Sequence, residues 1–228
     1  MLLADQSQRT VRDQLMGLKP IEFSVEVAGV SSEADRLVRD AEARIERFMH
    51  QRRNDPLPAF VPSDFRLSYA TLALIRDRHL APDMTMCEWG SGFGVTACLA
   101  TQLGYDACGI EIERDLNDES QALADEHDLS TQFVHGSFIP EGGNHLAFDT
   151  GESAWLSTDL PSAYDELALD VEDFGLIYAY PWPGEEQTVE RIFEAYAATG
   201  ALLVTYRGMN HIHVHRKTAR KRNGRMPI

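Results

Sequence analysis

Met84-Thr-Met-Cys-Glu-Trp-Gly-Ser-Gly-Phe-Gly94 is the stretch around which the rest of the chain is organised. A short apolar run ends in Glu88, and glycine then occupies every second position up to Gly94. Residues 95–103 follow with the composition of a helix. A strand, a glycine-rich turn and a helix in this order open a nucleotide-binding βαβ unit. Glycine lets the backbone approach a ligand closely, and the free N–H groups at a helix start attract polar or anionic groups.

The spacing of the glycines distinguishes between ligands. A dinucleotide-binding fingerprint requires G-x-G-x-x-G. Here Gly90, Gly92 and Gly94 form G-x-G-x-G, with Glu88 two residues before the first glycine. This E-x-G-x-G-x-G pattern resembles motif I of the class I methyltransferases that use S-adenosylmethionine (SAM). The resemblance implies that Glu88 orients the methionine end of SAM and that the turn lies against the cofactor.

A second strand is predicted at residues 106–112, and Glu111 falls at its carboxyl end, 21 residues after Gly90. A carboxylate there offers two oxygens that can accept hydrogen bonds from both ribose hydroxyls. Dinucleotide-binding folds use an acidic residue at a similar distance. The segment Gly-Ile-Glu-Ile at residues 109–112 also resembles motif II of the methyltransferases. A solvated carboxylate is the alternative role, but the upstream motif favours ribose binding.

A third strand is predicted at Thr131–His135 and is followed by Gly-Ser-Phe. In the resembled family this place often holds an Asp that receives the adenine amino group. Ser137 stands there in this chain, and its hydroxyl can accept the same bond less strongly. Phe138 either flanks the adenine ring or fills the core. The resemblance also implies that residues 61–65, before a predicted helix, contact the methionine end of SAM.

A fourth strand ends in Tyr180-Pro-Trp-Pro183, where the family's motif IV lies beside the methyl acceptor. Enzymes that methylate base amino groups carry Asp/Asn-Pro-Pro-Tyr/Trp there, but this chain has Ala179 at the first position, which argues against base methylation. An aromatic, proline-stiffened wall remains, suited to a flat, apolar or cationic acceptor; a rigid turn is the alternative interpretation. Glu185 or Glu186 is predicted to bind a cationic acceptor or to complement the helix dipole.

Two sets of site residues follow from these motifs. The predicted cofactor-binding residues are Glu88, Trp89, Gly90, Ser91, Gly92, Gly94, Glu111, Ile112, Ser137 and Phe138. The residues predicted to line the reacting centre are Tyr180, Pro181 and Trp182. No general base stands out; Tyr178, Tyr180 and His135 are the candidates.

The alternation of strands and helices predicts an α/β fold with a doubly wound, mainly parallel sheet, the Rossmann-like methyltransferase fold. We divide the chain into an N-terminal extension (1–58), a SAM-binding domain (59–217) and a basic tail (218–228). The extension is predicted to contain a strand at Ile21–Val27, completing the sheet, and an amphipathic helix. His211–His215 is predicted as a further strand, and no metal site is predicted there. The family's antiparallel strand is not evident.

Charge is distributed unevenly along the chain, whose net charge is −15. Residues 59–206 hold 26 acidic and 5 basic side chains, whereas residues 207–228 hold 7 basic and no acidic ones. Nucleic-acid binding needs clustered Lys and Arg. The acidic body therefore argues against such binding, except through the basic tail, which alternatively lies against the acidic body.

The composition predicts a cytoplasmic protein. Cys87, Cys98 and Cys108 fall on predicted buried elements, so we interpret them as reduced core thiols. No run of about 18 apolar residues is present, and residues 1–6 turn polar too early for a signal peptide. Neither a membrane span nor a particular oligomeric state is indicated.

The sequence thus predicts an enzyme, a SAM-dependent methyltransferase. Its acceptor is unidentified, with a protein side chain, a small amine or another small molecule favoured. The alternatives are a SAM-binding regulatory protein without catalysis and, with less support, an NAD(P)-dependent oxidoreductase.

Replacement of Glu111 tests the ribose assignment. Glu111→Ala is expected to weaken SAM binding by about 1–3 kcal/mol, the scale of a lost hydrogen bond to a charged group. Titration calorimetry of the wild type and the variant measures the change. Unchanged affinity would show that Glu111 does not hold the ribose.

Overall fold

The computed structural model describes residues 17–22, 24–25, 27, 29–54, 60–148, 160–208 and 211–219. The strands of this part of the chain are β1 (Leu18–Pro20), β2 (Thr85–Trp89), β3 (Asp106–Glu111), β4 (Gln132–His135), β5 (Leu176–Ala179), β6 (Leu202–Tyr206) and β7 (Ile212–Lys217). Its helices are α1 (Ser32–Gln51), α2 (Phe65–Asp77), α3 (Val95–Gln102), α4 (Arg114–Glu126), α5 (Asn144–Phe148), α6 (Tyr164–Leu167) and α7 (Glu186–Tyr196), with a 3₁₀ turn at Val171–Asp173.

The seven strands form one mixed sheet in the order β1-β7-β6-β5-β2-β3-β4. The five strands from β2 to β6 are parallel, and β7 runs antiparallel to both of its neighbours, β6 and β1. This order is typical of the class I methyltransferase fold and confirms the predicted fold class. It reverses between β2 and β5, and the carboxyl ends of these two central strands flank the crevice where such sheets bind ligands.

The antiparallel strand that the sequence did not reveal is β7, the histidine-containing segment. It follows β6 through a tight connection, in which Arg207 N–H donates to His211 O (2.8 Å) and His211 N–H donates to Gly208 O (2.9 Å). Parallel strands need a crossover of a dozen or more residues. The five residues from Arg207 to His211 are too few, so β7 must return alongside β6 in the opposite direction.

The N-terminal strand occurs three residues earlier than predicted. β1 pairs with β7 through Leu18 and Lys217, and Ile21 N–H donates to Val214 O at 2.8 Å. None of the described residues between 21 and 27 is in a strand. Ile21 and Val25 are partly buried against the core, but Val27 is 52% exposed, so the apolar alternation does not continue as one buried face. The expected extension strand at Ile21–Val27 is therefore wrong in position, although an N-terminal strand does complete the sheet.

The sequence predicts helix caps at Ser32 and at Ser63-Asp64; the structure places the first cap one residue earlier, on Ser31, and the second on Asp64. Ser31 Oγ accepts a hydrogen bond from Ala34 N–H (3.1 Å) at the start of α1. The Asp64 carboxylate accepts one from Leu67 N–H (3.0 Å) at the start of α2. Both bonds satisfy N–H groups that have no partner within the helix. The apolar face of α1 packs against α3, on the same side of the sheet as the turn after β2.

Parts of two predictions lie outside the described residues. One is most of the basic tail, from residue 220. The other is residues 149–159 of the segment 139–161, whose richness in Gly, Asn, Asp, Ser and Pro predicts a rim or lid near the site. The sequence also predicts a helix around residues 162–169, and it is present as the short helix α6. No helix that the structure describes is long and apolar enough to cross a membrane.

The burial of Leu18 predicts how much β1 contributes to the free energy of unfolding. Leu18 is 1% exposed and packs in the core cluster that contains Trp89 and Ile177, whereas Lys19 on the same strand is exposed. Leu18→Ala should lower the free energy of unfolding by about 2–5 kcal/mol, because a buried leucine is lost and leaves a cavity. Urea unfolding measures this change. Lys19→Ala is the matched control and should stay within about 0.5 kcal/mol of the wild type; equal effects would contradict the burial of β1.

Candidate functional site

A cavity of about 280 Å³ opens at the carboxyl ends of β2, β3, β4 and β5. Twelve of the thirteen residues singled out from the sequence line it: Glu88, Trp89, Gly90, Ser91, Gly92, Glu111, Ile112, Ser137, Phe138, Tyr180, Pro181 and Trp182. The structure thus brings the four sequence motifs to one place. The individual roles of these residues stay predictions.

Gly94 is the predicted residue that does not line the cavity. It precedes α3 with a φ of 68°, in the left-handed region that favours glycine. A Cβ atom at this position would lie 2.3 Å from the Phe133 ring and 2.7 Å from Ser120. The glycine is needed because α3 and the side chains of β4 and α4 meet at this turn.

Glu88 is the second-last residue of β2 and caps α3. Its Oε2 accepts a hydrogen bond from Ala97 N–H at 2.9 Å, the bond that an N-cap side chain normally accepts. Gly94, which occupies the N-cap position, has no side chain to do this. Burial raises the pKa of Glu88 to about 8, and the charge of Glu111 acts in the same direction. The side chain therefore binds a proton far more readily than an exposed glutamate.

Glu111 ends β3 and fixes the glycine turn. Its Oε2 accepts a hydrogen bond from Gly92 N–H at 2.7 Å, and its Oε1 accepts one from Glu113 N–H at 2.9 Å. Burial raises the pKa of Glu111, although these bonds to its charged form oppose the shift. One carboxyl group thus ties together the two turns that form the floor of the cavity.

The glycine turn leaves few free backbone donors. Gly90 N–H and Ser91 N–H both donate to Ile110 O, at 2.9 and 3.0 Å, and Gly94 N–H donates to Ser91 O at 2.7 Å. Gly92 N–H is held by Glu111. The side chain of Ser91 is different: its Oγ is buried at the cavity and has no hydrogen-bond partner among the described residues. It is therefore available to a ligand.

The side of the cavity next to β4 carries Ser137 and Phe138. Ser137 is 3% exposed, and its Oγ accepts a hydrogen bond from Ile139 N–H at 3.1 Å. The Phe138 ring stacks on Trp89, with centroids 4.9 Å apart and planes inclined by 7°. Because Trp89 covers one face of Phe138, the stack presents a flat apolar surface to the cavity.

The candidate general bases differ in placement. Tyr178 lines the cavity, but it is 1% exposed, its hydroxyl is hydrogen-bonded to Ser68 Oγ at 2.7 Å, and burial raises its pKa far above the usual range. His135 does not line the cavity, and its ring nitrogens contact Arg114 and Ile112 O. Burial also raises the pKa of Tyr180, which packs edge-on against Tyr206. None of the three is placed to take a proton readily.

The segment before α2 closes the cavity opposite the strand ends. Val61, Pro62, Ser63 and Phe65 line it, as the resemblance implied for residues 61–65. Sequence reasoning missed the other lining residues: Phe60, Phe93, Val95, Ile110, Glu113, Leu116, Ile139, Ala179, Pro183 and Val189. Phe93 and Glu113 could have been found as neighbours of the motifs. Leu116 and Val189 could not have been found in this way, because the sequence does not distinguish a helical leucine or valine at a cavity from one in the core.

Charge at the cavity has one sign. Among the described residues that line it are four carboxyl groups, those of Glu88, Glu111, Glu113 and Glu185, and no Lys, Arg or His. Across the described part of the chain, no group of three or more His, Cys, Asp or Glu side chains could hold a metal ion. The cavity is therefore suited to a cationic or neutral ligand rather than an anionic one.

Comparisons with known proteins give structural likeness only. No family model matches the chain, and no curated protein matches it in sequence. Its structure resembles those of many SAM-dependent methyltransferases at low sequence identity. An RNA methyltransferase from Salinibacter ruber, solved with S-adenosyl-L-homocysteine (SAH), is 15% identical with a TM-score of 0.48, over 72% of this chain and 98% of that one.

Two further solved structures have the same TM-score of 0.48. A methyltransferase from Geobacter sulfurreducens is 14% identical over 83% of this chain and 93% of its own. An O-methyltransferase from Bacillus cereus, solved with SAH, is 12% identical over 78% of this chain and 67% of its own. Likeness at this level concerns the fold, and the chemistry of the site depends on this chain's own residues.

The raised pKa of Glu88 predicts how stability depends on pH. The ordinary glutamate pKa is 4.5, so between about pH 4.5 and pH 8 the folded state keeps a proton that the unfolded state has released. Rising pH therefore lowers the free energy of unfolding through this group, by up to about 1.4 kcal/mol per pH unit.

Glu88→Gln removes this titration and keeps an oxygen for Ala97 N–H. The stability of the wild type relative to the variant should therefore fall as pH rises across that window. Urea unfolding of the ligand-free proteins at several pH values measures it. Parallel pH profiles for the two proteins would contradict the raised pKa.

Proposed function

We propose that this chain binds SAM and transfers its methyl group to an acceptor held at the wall formed by Tyr180, Pro181 and Trp182. The observation that carries the proposal is the pair of strand-end carboxyl groups. Glu88 accepts a hydrogen bond from Ala97 N–H at the N-terminus of α3, and Glu111 accepts one from Gly92 N–H. Both carboxyl groups thus accept hydrogen bonds from backbone N–H groups of the glycine turn and the helix start, the region where a dinucleotide fold binds a pyrophosphate.

Those carboxyl groups favour SAM over NAD or NADP. A pyrophosphate needs free N–H groups and positive charge, but the N–H groups of Gly90, Ser91 and Gly92 are already bonded within the protein. SAM carries a sulfonium and an ammonium against one carboxylate, so its net charge is positive. It therefore complements a cavity whose described lining contains four carboxyl groups and no basic side chain.

The residues present can account for each part of the cofactor. Glu111 would accept hydrogen bonds from the ribose hydroxyls, and Ser137 one from the adenine amino group. Phe138, supported by Trp89, offers a flat surface for the adenine ring. Glu88 and the buried Ser91 hydroxyl lie at the glycine turn, where the resemblance places the methionine end.

The chemistry expected of such a site makes few demands on the protein. The sulfonium makes the methyl group electrophilic, so the enzyme's task is to align the acceptor in line with it and to exclude water. The aromatic wall after β5 supplies a surface for that alignment. The lining carboxyl groups disfavour anionic acceptors, which leaves a protein side chain, a small amine or another small molecule as the acceptor.

A SAM-binding protein without catalysis is the second candidate. Two observations favour it: Ala179 replaces the amide-orienting residue of motif IV, and none of Tyr178, Tyr180 and His135 is placed to take a proton. Incubation with methyl-labelled SAM and a cell extract separates the two candidates. Label transferred to an extract component supports the enzyme, whereas binding without transfer supports a regulatory role.

Calorimetric titration with SAM, SAH, NAD and NADP tests the choice of cofactor. SAM and SAH should bind at least about 100-fold more tightly than either dinucleotide, a difference of about 2.7 kcal/mol. The physical reason is that the turn's N–H groups and the α3 N-terminus are occupied by carboxyl groups. Binding of NAD or NADP in preference to SAM would overturn the proposal.

A further inference from the structure

Glu185 is a buried carboxyl group with one oxygen unused. It immediately precedes α7, lines the same cavity beyond the aromatic wall, and is 5% exposed. Its Oε2 accepts a hydrogen bond from Trp182 N–H at 3.3 Å, whereas its Oε1 has no hydrogen-bond partner among the described residues. A buried charged oxygen without a partner costs free energy, so this oxygen marks a place for a donor.

Glu186 does not share this environment. Its Oε2 accepts a hydrogen bond from Gly184 N–H at 2.9 Å, its Oε1 lies 3.8 Å from an Arg207 guanidinium nitrogen, and it does not line the cavity. Arg207 also pairs with Glu190 at 2.8 Å. Of the two adjacent carboxylates, only Glu185 faces the cavity, and no Lys, Arg or His among the described residues lines that cavity with it.

Two aromatic side chains accompany Glu185. Tyr180 and Trp182 come from the same turn and line the same cavity. The faces of such rings attract cations, most strongly when water is excluded. A carboxylate and aromatic rings in a cavity whose described lining has no basic residue favour an ammonium group.

We propose that Glu185 binds the amino group of the methyl acceptor and that this acceptor is an aliphatic amine, held as an ammonium ion between the carboxylate and the Tyr180–Trp182 wall. This rests on the proposed methyl transfer from SAM. A free small amine and the side chain of a lysine share the required chemistry. A neutral alcohol is a poorer match, because it would leave the negative charge of Glu185 buried without a counter-charge.

Glu185 also has a role for the proton of the ammonium ion. The nitrogen needs its lone pair to attack, so one proton passes from the ammonium to the Glu185 carboxylate. The N–C bond then forms as the S–C bond breaks with its electron pair remaining on sulfur. The products are a methylammonium ion, SAH and the proton, which Glu185 releases to solvent. Burial raises the pKa of Glu185, which brings it closer to that of the group it deprotonates.

Ligand titration of the SAH-saturated protein tests the proposal without requiring turnover. The probes are phenethylamine, which is protonated at neutral pH, and its matched alcohol, 2-phenylethanol. The amine should bind about 10- to 100-fold more tightly than the alcohol, as expected of a charge-assisted hydrogen bond. Glu185→Gln should abolish that preference. Glu186→Gln, which removes the same charge one residue away and keeps an oxygen for Gly184 N–H, should retain it.

The outcomes separate this proposal from the one on which it rests. Failure of SAM and SAH to bind, seen before any amine is added, overturns both proposals. Binding of SAH with equal affinity for amine and alcohol in the wild type overturns the role of Glu185 alone, and so does an amine preference that persists in Glu185→Gln. Unchanged SAH affinity in Glu185→Gln shows that this variant is folded.

Turnover with methyl-labelled SAM then distinguishes the two sources of the amine. Phenethylamine and a lysine-containing peptide are offered separately, each with an alcohol-bearing counterpart. Transfer to an amine but not to the alcohols supports the proposal and indicates which source is used. Transfer to the alcohols with the amines inert would overturn it.

Discussion

The hydrogen bond from Gly92 N–H to the Glu111 carboxyl group is the interaction on which the cavity depends. It joins the end of β3 to the glycine turn after β2, and the second oxygen of Glu111 holds the turn that leads into α4. Glu88 makes the corresponding bond to the start of α3. Two buried carboxyl groups thus occupy N–H groups that a glycine-rich turn and helix start usually offer to an anion. Their burial is costly and raises the pKa of both groups, and the charge of Glu111 raises the pKa of Glu88 further. A ligand that carries positive charge would reduce that cost.

The far side of the cavity also holds a buried carboxyl group, that of Glu185. Glu185 is buried at the start of α7, where the helix dipole favours a negative charge but supplies only part of the compensation that burial requires. Its neighbour Glu186 lies near Arg207 and is thereby removed from the cavity. The two adjacent glutamates have different surroundings because the turn that begins α7 directs consecutive side chains in different directions. Glu186 thus lies near Arg207, which follows β6, and Glu185 is left for a ligand.

Much of this arrangement could be predicted because it depends on local chemistry. The glycine spacing, the strand-end glutamates and the Tyr-Pro-Trp-Pro turn are each contained in a few consecutive residues, and parallel strands bring their carboxyl ends to one edge. Errors arose where the partner is distant in sequence. The pairing of β1 with β7 joins Leu18 to Lys217, and nothing near Leu18 indicates that partner. The assignment of Gly94 to the cofactor rests on its local pattern and stays a prediction, whereas its packing against Phe133 is a tertiary contact that the pattern does not indicate.

The sequence by itself determined the α/β class, the switch-point location of the cavity and the motif residues that line it, because period, turn chemistry and strand-end position are local properties. The tertiary structure decided which donors and acceptors are already used. Gly92 N–H, Ala97 N–H and the Tyr178 hydroxyl are bonded within the protein, whereas Ser91 Oγ and Glu185 Oε1 have no partner in the part of the chain that the structure describes. Hydrogen-bond satisfaction depends on residues that come together only when the sheet and its helices pack, so it cannot be read from the order of residues along the chain.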